Sequence, residues 1–172
     1  MTTATAHPIE ELGRKIPLDA IASPIVRQGY DYWRAKRGGR AFPARADIHP
    51  AEIKPLLPNV LLVHVLDGGR DYQFRIVGEA SVRAHGFNPA NWHVRELDSQ
   101  VPGYGAMMTG LYDHIRKTGR PVAARGNLVH VDRGFQTYES IYVPLGPDDS
   151  TVDHLMAFAQ YDEEVYTRPA LI

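Results

Sequence analysis

Apolar residues recur at helical spacing in two stretches of this chain and at strand spacing in five. In the first helical stretch, Val26, Tyr30 and Trp33 share one side, and Arg27, Asp31 and Arg34 share the other. Ser23 and Pro24 suit its start, because a serine hydroxyl caps free amides and proline tolerates the first helical position; Gly38 and Gly39 mark its end. Asp47 and Pro50 open a second helix of about two turns, which Pro55 and Pro58 stop. From Asn59 to Leu66 and from Tyr72 to Val77 the pattern is that of a hairpin turning at Asp67 to Arg70. The stretch Gly78 to Val101, broken by Gly86 and Pro89, predicts irregular structure with short helical pieces. Tyr104 to Thr118 is the second clear helix, with Met107, Met108, Leu111 and Ile115 continuing the stripe that Tyr104 begins, and Gly119 and Pro121 closing it. Three strands follow, at Val122 to Val131, Phe135 to Leu145 and Val152 to Tyr161, the first two joined tightly through Asp132, Arg133 and Gly134.

Two of these strands are apolar on both faces. Leu155, Ala157 and Ala159 oppose Met156 and Phe158, and Leu61, Val63 and Val65 oppose Val60, Leu62 and Leu66. Such strands belong in the interior of a covered sheet. The order of elements predicts an α+β domain with an antiparallel sheet over residues 23–161, preceded by a flexible arm at 1–22 and followed by a tail at 162–172.

Composition narrows the function. The 172 residues are 44% hydrophobic and 23% charged, as one folded domain requires, and the net charge of −1 gives no general attraction to nucleic acid or anionic lipid. No apolar run spans a bilayer and Met1 to Glu11 lacks a signal-peptide pattern, so the expected location is the cytoplasm. Cysteine is absent, which removes disulfides, thiolate metal sites, cysteine nucleophiles and sensors that form a cysteine adduct.

The order of elements, together with Tyr32-Trp33, Arg45-Ala46-Asp47-Ile48 with Pro50, Leu56-Leu57-Pro58, Phe74-Arg75-Ile76-Val77-Gly78, Thr118-Gly119-Arg120-Pro121 and Pro144-Leu145, resembles the PAS family, in particular the single-domain PAS proteins of alphaproteobacteria. The resemblance implies a five-stranded sheet in the order 2-1-5-4-3, with helices on one face and an N-terminal helical extension. It implies sensing or protein interaction, and it assigns no ligand. Where the family tends to have a second glycine this chain has Asn91, which tolerates a left-handed backbone.

Candidate pocket residues are Trp92, Met108, Leu111, Tyr112, Tyr142 and Phe158, with Arg75 or Ser140 to fix a polar end; the same residues also serve as ordinary core. His114, on the long helix, is the candidate axial ligand if the occupant is haem, and a noncovalent flavin needs only stacking and amide contacts. Val26, Tyr30 and Trp33 either cover the sheet or form an interaction surface with another subunit. Arg27, Arg34, Lys36, Arg37, Arg40 and Arg45 make a locally basic face that suits an anionic partner or simply solvent. No nucleophile elbow, phosphate loop, zinc-protease pair or calcium loop is present, and the acidic residues and histidines are dispersed, so no enzyme is expected. The leading expectation is a signalling domain without an output domain, binding a small molecule between the sheet and the 104–118 helix. The alternatives are a ligand-free interaction or dimerisation module and a haem sensor. The expected partners are a small molecule, a signalling protein and a second copy, with no nucleic acid and no membrane.

Overall fold

The computed structural model describes residues 13–128 and 133–163. Asp132, the expected tail beyond residue 163 and most of the expected arm lie outside the described residues. In chain order the main elements are β1 (Arg14–Ile16), α1 (Pro24–Arg37), β2 (Val60–Leu66), β3 (Asp71–Val77), α2 (Glu79–His85), α3 (Tyr104–Thr118), β4 (Val122–Leu128), β5 (Arg133–Leu145) and β6 (His154–Glu163).

All strand pairings are antiparallel, in the order β1-β4-β5-β6-β2-β3. The five expected strands take the expected order, with β2 and β6 paired in the interior. The count is corrected from five to six. Residues 14–16, assigned to the arm from sequence, pair with Arg125, Ala124 and Ala123 at the β4 edge. Three residues are too few to show a period, so this strand exists only because β4 offers an unpaired edge.

Both faces of the sheet are covered. On one, Leu62, Ala123, Ile141, Val143, Met156 and Phe158 meet Val26 and Trp33 of α1, and Ile53 and Leu56 of the Pro50–Asn59 turns. The Ser23 hydroxyl accepts from the Val26 amide at 3.2 Å, and Gly38, with φ of 56°, ends α1 by donating its amide to the Arg34 carbonyl. Trp33 donates its indole N–H to the Pro144 carbonyl at 2.8 Å, fixing the helix against β5. Residues 50–59 stay in 3₁₀ geometry because Pro55 and Pro58 supply no amide for an α-helix. On the other face, Val63, Val65, Tyr72, Phe74 and Leu155 pack against Met108, Tyr112 and Ile115 of α3 and against Val94 and Leu97 of a short 3₁₀ turn. The irregular middle contains α2, closed by Gly86 in the left-handed region. Asn91 holds a φ of 66°, the left-handed backbone its side chain was expected to tolerate.

Candidate ligand-binding site

Period two in the sheet and spacing of three and four in α3 bring two sets of side chains to a common cavity of about 140 Å³. Tyr138, Ser140 and Tyr142 alternate along β5, and the register sets Ser140 beside Ala124 and Tyr142 beside Val122 of β4. Leu61, Phe74 and Tyr161 extend this floor. Tyr104, Met107, Met108, Leu111 and Tyr112 come down from α3, and Ser81, His85 and Phe87 close the side at α2. Gly13 and Lys15 line the edge beside β1.

The wall is mostly aromatic and aliphatic, with hydroxyl groups set into it. His85 Nδ1 lies 2.9 Å from the Ser81 carbonyl and its Nε2 lies 3.2 Å from the Tyr104 hydroxyl. The carbonyl can only accept, so Nδ1 carries a hydrogen. Tyr161 donates to the Ser81 hydroxyl at 3.3 Å. Tyr112 differs: it is wholly buried, and its hydroxyl has no hydrogen-bond partner among the described residues. Its ring is wedged between Tyr72 and Tyr142, with centroids 5.4 and 5.9 Å away. Behind it, Tyr72 donates to Asp113 at 2.5 Å and accepts from Arg116 at 3.1 Å.

Leaving a buried hydroxyl unpaired costs about 1–3 kcal/mol. In ligand-free protein, Tyr112→Phe is therefore expected to raise stability by about 1 kcal/mol. Urea unfolding checks this, and a loss of stability would show that the hydroxyl is satisfied after all.

Burial holds the cavity phenols protonated. It raises Tyr104, Tyr112, Tyr142 and Tyr161 above the ordinary tyrosine value and pushes Tyr138 up to about 12. Tyr72 is also pushed up to about 12, by burial and by the Asp113 carboxylate, with Arg116 acting the other way. A phenol whose folded value exceeds its unfolded value binds its proton more tightly when folded, so its contribution is intact below about pH 10 and is lost as pH rises through about 12. Absorbance titration at alkaline pH should show these tyrosines ionising together with loss of the native circular dichroism. Early, separate ionisation would contradict their burial.

Met108, Leu111, Tyr112, Ser140 and Tyr142 of the sequence-derived pocket line the cavity. Three others do not. Phe158 faces α1, where its ring lies under Gly29, and Tyr161, three residues on and on the opposite face of β6, takes the cavity position. Arg75 is exposed and on the opposite side of β3 from Phe74. Trp92 stacks on Phe87 behind the wall, at 6.0 Å. His114 is exposed on α3 and does not reach the cavity. Of the expected interaction stripe, Val26 and Trp33 are buried within the chain and Tyr30 is half-buried, stacked on Trp33 at 6.1 Å. Sequence reasoning missed His85; its place beside an aromatic, Phe87, in a glycine-broken stretch was the available signal.

The cavity is partly open to solvent, and its volume of about 140 Å³ lies below the roughly 300 Å³ at which pockets for drug-sized ligands begin. Among the described residues no group of three or more histidine or acidic side chains is placed to hold a metal ion, and no helix is long and apolar enough to cross a membrane.

The fold is α+β: an antiparallel sheet with a cavity between one face and a helical crossover. A family model described as a PAS domain matches residues 21–97, from the start of α1 into the 94–99 turn. No curated protein matches the chain. Among solved structures, an RNA-binding Light-Oxygen-Voltage receptor is 13% identical with a TM-score of 0.48, the alignment covering 88% of this chain and 39% of that one. A LOV protein from Rhodobacter sphaeroides is 14% identical with a TM-score of 0.42, covering 70% of each chain. This chain thus spans well under half the length of the RNA-binding receptor.

Proposed function

We propose that this domain is a cytoplasmic sensory module, not an enzyme, that binds one small molecule in the cavity between the sheet and α3. The observation that carries the reading is the cavity itself: α3 and the sheet converge on a partly open, mainly apolar space in a chain that the PAS family model matches. Apolar surface that cannot collapse onto itself gains most by enclosing a ligand. Occupancy then shifts α3 and α2 relative to the sheet, provided the ligand prefers one arrangement, and a separate signalling protein or a second copy reads the change.

Mass spectrometry under native and denaturing conditions tests this, with Ala124→Leu as the filled-cavity control. Native protein is expected to retain a small noncovalent mass, or to acquire one from a small-molecule library, and Ala124→Leu is expected to lose it. A chain that takes up no compound, or an Ala124→Leu variant that binds as well as wild type, overturns the reading.

A further inference from the structure

Resting on that reading, we infer that the cavity takes an organic monocarboxylate with an apolar body, its carboxylate against the Lys15 ammonium at the rim and its body over the floor that Ala124 and Ser140 form. The sheet sets up this polarity. Lys15, Ala124 and Ser140 occupy one row across β1, β4 and β5, since Lys15 pairs with Ala124 and Ala124 with Ser140. Paired residues of neighbouring strands share a face, and all three line the cavity. The next row, Ile16 and Ala123, is buried on the opposite face with α1, as period two requires. The small side chains of Ala124 and Ser140 leave space that Tyr138 and Tyr142, two residues to either side of Ser140, flank. The row therefore leads from a charged sheet edge into an apolar interior.

Charge is confined to that edge. Lys15 is exposed, while the other lining residues are buried or half-buried. No aspartate, glutamate or arginine lines the space, and among the described residues no carboxylate pairs with Lys15. An acid seated along the row keeps its carboxylate at the rim, in contact with water and with the ammonium, and withdraws only its body from water. It thereby avoids the cost of burying a charge. A neutral molecule of the same shape gains the burial of its body alone, and a cation meets like charge at the rim.

The test titrates the whole chain, wild type and Lys15→Gln, with sodium hexanoate, hexanamide and sodium acetate at neutral pH and low salt, with binding read from backbone amide shifts of β4, β5 and α3. Lys15 is exposed, so glutamine there leaves the fold intact, which circular dichroism verifies. Wild type is expected to bind hexanoate about fivefold more tightly than hexanamide, the upper end for one charge pair at a solvated rim, and to bind acetate far more weakly than either because acetate lacks the body. Lys15→Gln is expected to weaken hexanoate about fivefold and to leave hexanamide unchanged. Hexanamide binding to wild type as tightly as hexanoate overturns the inference, as does equal hexanoate affinity in both proteins; in either case the cavity still takes a ligand and the sensory reading stands. Acetate binding as tightly as hexanoate overturns it too, because the apolar body then contributes nothing. If neither hexanoate nor hexanamide moves the cavity amides, the inference falls, and the sensory reading is decided separately by library uptake and the Ala124→Leu control.

Discussion

Glu139→Ala is expected to destabilise the protein by about 3 kcal/mol, the largest loss from any single polar side chain considered. Glu139 is nearly buried, and every acceptor site it offers is engaged. One carboxylate oxygen accepts from the backbone amides of Ala22 and Ser23, at 2.9 and 2.7 Å, and the other accepts from Arg125 at 3.0 and 2.6 Å. Arg125 in turn donates to the Ala20 carbonyl at 3.0 Å. This clasp fixes the segment between β1 and α1 to the sheet, and it sets Ser23 where its hydroxyl caps α1. Truncation orphans two amides and a guanidinium. The loss falls at the low end of the usual 3–5 kcal/mol for a broken buried pair, because Arg125 is 38% exposed and water replaces part of what it loses. Urea unfolding measures the total, and hydrogen exchange locates it: amides of residues 14–23 should lose protection before those of β5 and β6. A loss below about 1 kcal/mol would mean that water substitutes for the whole clasp.

Gly29→Ala should also destabilise, by about 2 kcal/mol or more, although alanine is the better helix former by about 1 kcal/mol. Helical propensity loses here because a Cβ on Gly29 would fall inside the ring of Phe158, which is itself wholly buried. Either α1 rises from the sheet, exposing Val26 and Trp33, or the ring leaves its rotamer; both disturb a close-packed layer. Phe158→Ala alone should cost about 3–5 kcal/mol by leaving a cavity. In the Gly29→Ala background it should cost at least about 1 kcal/mol less, since the new methyl occupies part of the space. Additive effects in the double-mutant cycle would show that the two residues are not in contact.

Much of the candidate site was legible before the fold was known. The stripe on Tyr104 to Thr118 identified α3 and therefore Met108, Leu111 and Tyr112, and alternation on β5 paired Ser140 with Tyr142. Phe158 and Arg75 were misplaced for one shared reason. Period two says which residues of a strand lie together, but on a strand that is apolar on both faces, or at an edge, it does not say which face meets the helices. His85 escaped notice because α2 is a seven-residue helix, too short for a period to emerge.

The sequence by itself determined the local elements: where α1 and α3 start and stop, through Ser23, Gly38 and Gly119, and which strands are interior. Those outcomes depend on neighbours within one or two turns, where capping, proline chemistry and side-chain alternation act directly. Tertiary structure decided the rest. It recruited residues 14–16 as a sixth strand, laid α1 on the face opposite α3, and left a cavity between α3 and the sheet. Each of these depends on a partner more than a hundred residues away or on the volume left between packed layers, and no local pattern in the chain encodes either.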